Sequence, residues 1–221
     1  MPHRAIESRW AQAVSIPHGR ERLAGELTVP SVVAGVVLLA HDEPPDPRAS
    51  GHLVAGVLHE ARLATLRLDP PAPGDGADPH PASGSRHGRD LAAHLIAATD
   101  WLAHQERTAR LPVGYFAAGS GAGAALDAAA RVERVGAVVV SGGRPDLAPG
   151  ALATLHAPTL LIVGEHDPDV LELNRLALRR LTSGTLLVVP EASHRFEEAG
   201  ALEVVAHLAS MWFQQTLAPG S

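Results

Sequence analysis

Three side chains, Ser120, Asp167 and His194, have the types and the chain order that nucleophilic hydrolysis requires. A serine hydroxyl is a weak nucleophile until a histidine takes its proton, and a carboxylate fixes the tautomer of that histidine and stabilises its cation. The order nucleophile, acid, histidine is typical of a serine that stands on a strand-to-helix corner. We therefore predict that Ser120 attacks the substrate, that His194 is the base and that Asp167 orients the histidine.

The segment that would carry the nucleophile, residues 111–126, has the composition of a short buried strand that turns sharply into a helix. Small residues surround Ser120, so strand and helix can pass closely, and the first N–H groups of the helix would face developing negative charge. Gly119 stands where the usual G-x-S-x-G pattern has its serine. Either the corner is shifted by one residue, with the Gly121 N–H as an oxyanion donor, or Ser120 only caps the helix.

The elements that must position these residues alternate along the chain, which predicts an α/β fold with a mostly parallel sheet covered by helices on both faces. We expect an antiparallel hairpin over residues 14–29, since its apolar and polar residues alternate. Further strands are expected at 34–40, 64–68, 135–140, 159–163 and 185–189, helices at 50–62, 87–106, 168–181 and 197–217, and a long loop at 70–86. Sites in such sheets lie beyond the carboxyl ends of the strands. The candidates at such ends are His41, Ser120, Asp167 and His194.

Four segments resemble the α/β-hydrolase superfamily and, within it, the dienelactone-hydrolase-like branch. They are Gly114–Ala118, Val140–Leu147, Leu160–Asp167 and Val189–Phe196, and the likeness extends from about Val14 onward. The resemblance implies a single α/β-hydrolase domain over residues 1–221, in which residues 1–12 could form an N-terminal extension. It also implies that Asp167 is the triad acid and His194 the triad base, and that the substrate is a small carboxylic ester or lactone.

The sequence departs from this family at two places. Gly119 aligns with the nucleophile of the relatives, and the cysteine that dienelactone hydrolases proper use there cannot be supplied, because the chain has no cysteine. After the first buried strand, relatives have small residues whose N–H groups face the oxyanion, but here His41 and Asp42 are followed by Glu43-Pro44-Pro45. Proline has no N–H to donate, and carboxylates oppose an oxyanion.

These departures leave three functional hypotheses. The first is hydrolysis of an ester or lactone by Ser120, Asp167 and His194, with Gly119, Gly121, His41 and Asp42 lining the oxyanion site or pocket. The second is a catalytically degenerate protein that binds a ligand or a partner protein. The third is proton transfer by Asp167 and His194 without a covalent nucleophile.

Composition narrows the class of partner and the location. The net charge of −6 over 221 residues argues against nucleic acid or an anionic membrane as partner. There is no cysteine, no apolar run long enough to cross a membrane and no apolar core of a signal peptide, so a cytoplasmic protein is expected. No His-Glu-x-x-His or dinucleotide-binding pattern occurs, so neither metal nor cofactor is expected. We expect a small-molecule substrate or ligand, and a monomer or homodimer.

Overall fold

The computed structural model describes residues 9–40, 47–69 and 86–217, and within them eight strands form one sheet. The strands are Arg9–His18 (β1), Glu21–Pro30 (β2), Gly35–Ala40 (β3), Leu63–Leu68 (β4), Val113–Ala118 (β5), Val135–Ser141 (β6), Thr159–Gly164 (β7) and Gly184–Val189 (β8). The helices are Pro47–Glu60 (α1), Arg86–Ala103 (α2), Gly121–Arg131 (α3), Pro168–Leu178 (α4) and Ala201–Thr216 (α5), with a 3₁₀ turn at Pro145–Leu147.

The strand order is β1-β2-β4-β3-β5-β6-β7-β8. The β1–β2 and β2–β4 pairs are antiparallel, and all the other pairs are parallel. This is the α/β architecture that the alternation of strands and helices predicts, with the expected hairpin at one end. The carboxyl ends of β5, β6 and β7 therefore lie side by side at one edge of the sheet.

Two apolar cores hold the helices to the sheet, one on each face. Along β3, all six residues are buried, and the five that follow Gly35 alternate between the two cores. The first core contains side chains of α2, α3 and α4, and the second contains side chains of α1 and α5. The prediction of helices on both faces is therefore confirmed. It also explains why β3 is apolar, since a strand that is covered on both faces must be apolar at nearly every position.

The structure differs from the sequence-based expectation at several element boundaries. α1 covers residues 47–60 instead of 50–62, α2 ends at Ala103 instead of Glu106, and α4 ends at Leu178 instead of Leu181. β1 begins at Arg9, so residues 9–12, expected as part of an extension, belong to the sheet. α5 begins at Ala201 instead of Glu197, because Gly200 precedes it in a left-handed conformation with φ of 82°. A left-handed residue interrupts the helical backbone, and glycine adopts it without steric cost.

The last strand, β8, is a larger difference. A run such as Leu186 to Val189 is typical of a strand buried on both faces, but β8 is the end strand of the sheet, and Leu187 and Val188 are 36% and 41% exposed. The sequence of an edge strand of this composition does not differ from that of a central one.

Some predictions fall outside the described residues. His41, Asp42 and nearly all of the loop expected at 70–86 lie there. Among the helices that the structure describes, none is long and apolar enough to span a bilayer.

Candidate active site

Asp167 and His194 meet at the carboxyl edge of the sheet. Asp167 is the N-cap of α4, and its Oδ1 accepts a hydrogen bond from the N–H of Val170 at 3.3 Å. Its Oδ2 lies 2.6 Å from Nδ1 of His194. The aspartate side chain is 14% exposed and the histidine 46%. A neutral imidazole held in this way carries its proton on Nδ1, so Nε2 is the atom that can accept a proton from a substrate or a nucleophile.

The loop that carries His194 is fixed from two directions. The carboxylate of Glu198 accepts the N–H of Ser193 at 3.0 Å, and this hydrogen bond lowers the pKa of Glu198. On the other side, Gly164 ends β7 directly beneath the loop, and a Cβ at this position would collide with the carbonyl oxygens of Ala192 and Ser193. The imidazole is thus placed by backbone contacts as well as by Asp167.

Gly119 forms the corner between β5 and α3. Its φ is +57°, its N–H donates to the carbonyl of Ser141 at 3.3 Å, and its own carbonyl accepts from the N–H of Arg144 at 3.3 Å. A side chain at Gly119 would point into open space. At a strand-to-helix corner of this kind, the nucleophile usually has the strained backbone conformation. Here Gly119 has that conformation.

Ser120 lies one residue further along, in a helical conformation with φ of −69° and ψ of −23°. It is the N-cap of α3, but its side chain makes no capping hydrogen bond, so the prediction that it only caps the helix has no support from the cap itself. α3 begins at Gly121, whose N–H is in the first turn. Ser120 and Gly121 thus directly follow the corner residue, and the roles predicted for them stay predictions.

The corner and the histidine loop approach one another across the end of β6. A Cβ on Gly143 would lie 3.3 Å from the carbonyl oxygen of Gly119, and a Cβ on Gly142, whose φ is +53°, would lie 2.6 Å from that of His194. The structure therefore joins the predicted acid and base by a hydrogen bond and places the predicted nucleophile segment after β5, on the other side of β6 from β7. The attack by Ser120 and the roles of His41 and Asp42 stay predictions.

The residues that support this arrangement carry no motif that would have predicted their role. They are Gly142, Gly143, Gly164, Glu198 and Asn174. Asn174 is buried, and its Nδ2 donates to the carbonyls of Gly143 at 3.0 Å and Val170 at 2.8 Å. It ties α4, which carries Asp167, to the loop after β6. For the glycines, the only signal in the sequence is their position at the end of an apolar run, and glycine also occurs there in ordinary turns.

One group of side chains near the site has the composition of a metal ligand set. Glu165, His166 and Glu191 bring one ligand atom each to within 4.8 Å of one another, and all three are exposed. It is the only such group among the described residues. Exposed acidic groups of this kind are common on protein surfaces, and the prediction that the chain holds no metal is not tested by it.

A separate cavity of about 160 Å³ lies at the antiparallel end of the sheet, between α1 and strands β1, β2 and β4. His59 lines it and is buried, with its Nε2 2.8 Å from Oγ1 of Thr65. Burial, assisted by the charge of Arg9, lowers the pKa of His59 to about 4, so this histidine is neutral near pH 7. Neither Asp167 nor His194 lines this cavity.

Comparison with known proteins decides the family. No protein-family model matches the chain. A dienelactone hydrolase of Anabaena variabilis ATCC 29413, known from its crystal structure, is 44% identical and superposes with a TM-score of 0.86, covering 95% of this chain and 99% of that one. The chain belongs to the dienelactone-hydrolase-like branch of the α/β-hydrolases.

More distant structures share the fold of this dienelactone-hydrolase-like chain. The esterase domain of a Rhodothermus marinus protein is 17% identical with a TM-score of 0.73, covering 95% of this chain and all of that one. Among curated proteins, a Mycobacterium tuberculosis H37Rv protein named "Putative phosphoribosyl transferase" is 47% identical over 206 residues. The match covers 91% of this chain but only 46% of that protein, so the chain spans about half the length of this relative.

Proposed function

We propose that the chain hydrolyses a small carboxylic ester or lactone and that Asp167 and His194 form its general base. The observation that carries the proposal is the 2.6 Å hydrogen bond between Asp167 Oδ2 and His194 Nδ1. This bond holds one imidazole nitrogen and leaves the other to take a proton, on a side chain that is half exposed at the carboxyl edge of the sheet. Membership of a hydrolase family supports the same reaction class.

The first candidate for the attacking atom is the Ser120 hydroxyl. His194 would take its proton through Nε2, and the oxygen would add to the carbonyl carbon to form an acyl-enzyme, which water then hydrolyses. The N–H of Gly121 would donate to the oxyanion, since an oxyanion donor is the N–H that follows the nucleophile.

A second candidate is a water molecule, which the geometry of Gly119 favours. Gly119 has the corner conformation, φ of +57°, and the space in front of it is open where a relative would have a nucleophilic side chain. A water in this space could give its proton to His194 and attack the carbonyl carbon directly, so that no covalent intermediate forms. In that case the oxyanion donor would be the N–H of Ser120, because it belongs to the residue that follows the corner position.

One set of variants separates these routes. Turnover of p-nitrophenyl acetate and of a small lactone is measured for the wild type, Ser120→Ala and His194→Ala, with His166→Ala as the control for loss of an exposed histidine nearby. We expect His194→Ala to lower kcat/KM by about 10³-fold or more and His166→Ala to leave it within about twofold. A wild type that hydrolyses neither substrate would contradict the proposal and favour a degenerate, ligand-binding protein. A His194→Ala variant with the kcat/KM of the wild type would contradict the role of His194.

The nucleophile is identified by a fluorophosphonate probe with mass spectrometry. Labelling at Ser120 that disappears in Ser120→Ala supports the acyl-enzyme route. Activity that survives Ser120→Ala without labelling supports attack by water. Phosphoribosyl transfer is not proposed for this chain, because the match leaves more than half of the relative of that name uncovered.

A further inference from the structure

β8 is an edge strand without the features that usually protect such an edge. It terminates the described sheet beyond β7 and reads Gly-Thr-Leu-Leu-Val-Val, with no charged residue and no proline among its six residues. Protected edges carry lysine, proline, a bulge or a covering element, because unpaired N–H and C=O groups otherwise recruit another strand. β-branched and leucine side chains further favour pairing.

The register of β8 shows which backbone groups are available at its outer edge. The carbonyls of Ser183 and Val189 accept hydrogen bonds from the N–H groups of Thr159 and Glu165, so they point toward β7. The direction of the backbone groups alternates along a strand. The N–H and C=O groups of Gly184, Leu186 and Val188 therefore point outward, away from β7.

Most of the strongly exposed large apolar side chains in the described residues belong to α4, β8 and α5. Six large apolar side chains are strongly exposed among the described residues, and five of them lie on α4, β8 and α5: Leu176, Leu187, Val188, Val204 and Met211. Leu186 packs on the same core as α4, and alternation puts Val188 on that face too. Leu176, on α4, is 46% exposed. Leu176 and Val188 therefore lie on the α4 face of the sheet, so apolar side chains are exposed on the same face of this edge as α4.

The charges of α4 are arranged for a partner that runs antiparallel to it. Its exposed acidic residues, Asp169 and Glu172, come before Leu176, and the exposed Arg179 and Arg180 directly follow the helix. Arg175, next to Leu176, lies 3.7 Å from Glu172 of the same helix. A second α4 in the opposite direction would place acid against base at both ends, with Leu176 near the middle. A parallel partner would place like charges together, which disfavours that arrangement.

We propose that β8 pairs with β8 of a second copy of this chain in antiparallel orientation. A twofold axis perpendicular to the sheet and beside Leu186 would place Leu186 opposite Leu186, and Gly184 opposite Val188, in both directions. These are the residues whose backbone groups point outward, so about six backbone hydrogen bonds would form. The same axis brings the two α4 helices side by side and antiparallel on one face of a continuous sheet. Such an interface is isologous and closed.

Sedimentation analysis of the full chain across a concentration series tests the pairing. We expect a wild-type mass of twice the monomer, and Val188→Lys should weaken dimerisation by about tenfold or more, because a charge at the edge opposes pairing. Val32→Lys is the matched control: Val32 is 57% exposed, in the turn between β2 and β3, and its substitution should leave the dimer unchanged. A monomeric wild type, or a Val188→Lys dimer of unchanged affinity, would overturn the proposal.

Hydrogen exchange gives a second measurement that needs no substitution. The amides of Leu186 and Val188 should become protected as concentration rises, whereas that of Leu187, which faces β7, should be protected throughout. Exchange at Leu186 and Val188 that is independent of concentration would argue for a different partner at this edge and against self-pairing.

The antiparallel orientation is tested by charge exchange on α4. Arg179→Glu should weaken the dimer, and adding Glu172→Arg should restore it, because an antiparallel pair with Leu176 near its middle places residue 172 of one copy beside residue 179 of the other. If the double variant is as weak as the single one, the proposed orientation is wrong.

Discussion

Asp167 caps the first turn of α4 with one carboxylate oxygen and holds the imidazole of His194 at 2.6 Å with the other. The position of the carboxylate is therefore set by a helix and not by a flexible loop. Because the Val170 N–H occupies Oδ1, Oδ2 is directed toward His194, and the imidazole orientation follows from the direction of α4.

Asp167→Asn tests whether one oxygen caps α4 while the other orients His194. The amide can still cap the helix through its oxygen, but its N–H₂ group would then face Nδ1 and favour the wrong tautomer of His194. We expect kcat/KM for ester hydrolysis to fall by about 10³- to 10⁴-fold, with little change in the melting temperature. Asp169→Asn, in the same helical turn and exposed, is the control. A threefold loss or less in Asp167→Asn would show that the carboxylate does not act on the histidine.

Gly119→Ser should introduce a covalent nucleophile at the corner. The backbone already has the strained conformation, and the new side chain meets no atom within 4 Å, so the cost is the φ of +57° for a non-glycine residue, about 1 kcal/mol. We expect fluorophosphonate labelling at residue 119 and faster hydrolysis of p-nitrophenyl acetate. Gly150→Ser, which also meets open space, should show neither. A well-folded Gly119→Ser protein without labelling would mean that the corner does not face His194.

Gly164→Ala should displace the loop that carries the base. The added methyl group would collide with the backbone of Ala192 and Ser193, which cannot move away without shifting His194. We expect a loss of about 2 kcal/mol in the free energy of unfolding and a fall in kcat larger than the change in KM. Denaturant unfolding and steady-state kinetics measure the two effects. Gly150→Ala is the control, and equal kcat values for the two variants would contradict this role of Gly164.

Burial of His59 makes folding stability depend on pH. Its pKa is about 4 in the folded protein against 6.5 for an unperturbed histidine, so the unfolded chain binds more protons between these values. The resulting stability is fully present above pH 6.5 and is lost as the pH falls toward 4, by at most about 3 kcal/mol.

Urea unfolding at pH 7, 5.5 and 4.5 measures this loss. We expect His59→Gln to lower stability at pH 7 and to flatten its decrease with falling pH. The exposed His156 provides a control substitution, His156→Gln, that should keep the wild-type slope. An unchanged slope in His59→Gln would assign the pH dependence to other groups.

The sequence was sufficient for the architecture and for bringing Asp167 and His194 to the same edge of the sheet. Alternating apolar strands and amphipathic helices identify a parallel sheet, and Asp167 and His194 each follow a strand whose end faces the same edge. The corner was ambiguous because Gly119 and Ser120 both fit a one-residue shift. Only the backbone angles, φ of +57° against −69°, assign the strained position to Gly119.

Other features depend on contacts between distant parts of the chain. Gly164 matters because the loop at 192–194 packs against it, and no local pattern contains that information. β8 has the same kind of apolar sequence as β6, but it lies at the end of the sheet. Hydrophobic periodicity does not predict the order of strands in a sheet. The sequence therefore predicts burial where the folded chain exposes Leu187 and Val188.

Asp167 and His194 both come from the consecutive segment β7–α4–β8 and the loop after it, whereas the corner at Gly119 belongs to an earlier segment. In the proposed reaction, the proton-accepting pair and the attacking atom therefore come from separate segments of the chain. A substitution at the corner can change the proposed attacking atom without altering the contact between Asp167 and His194.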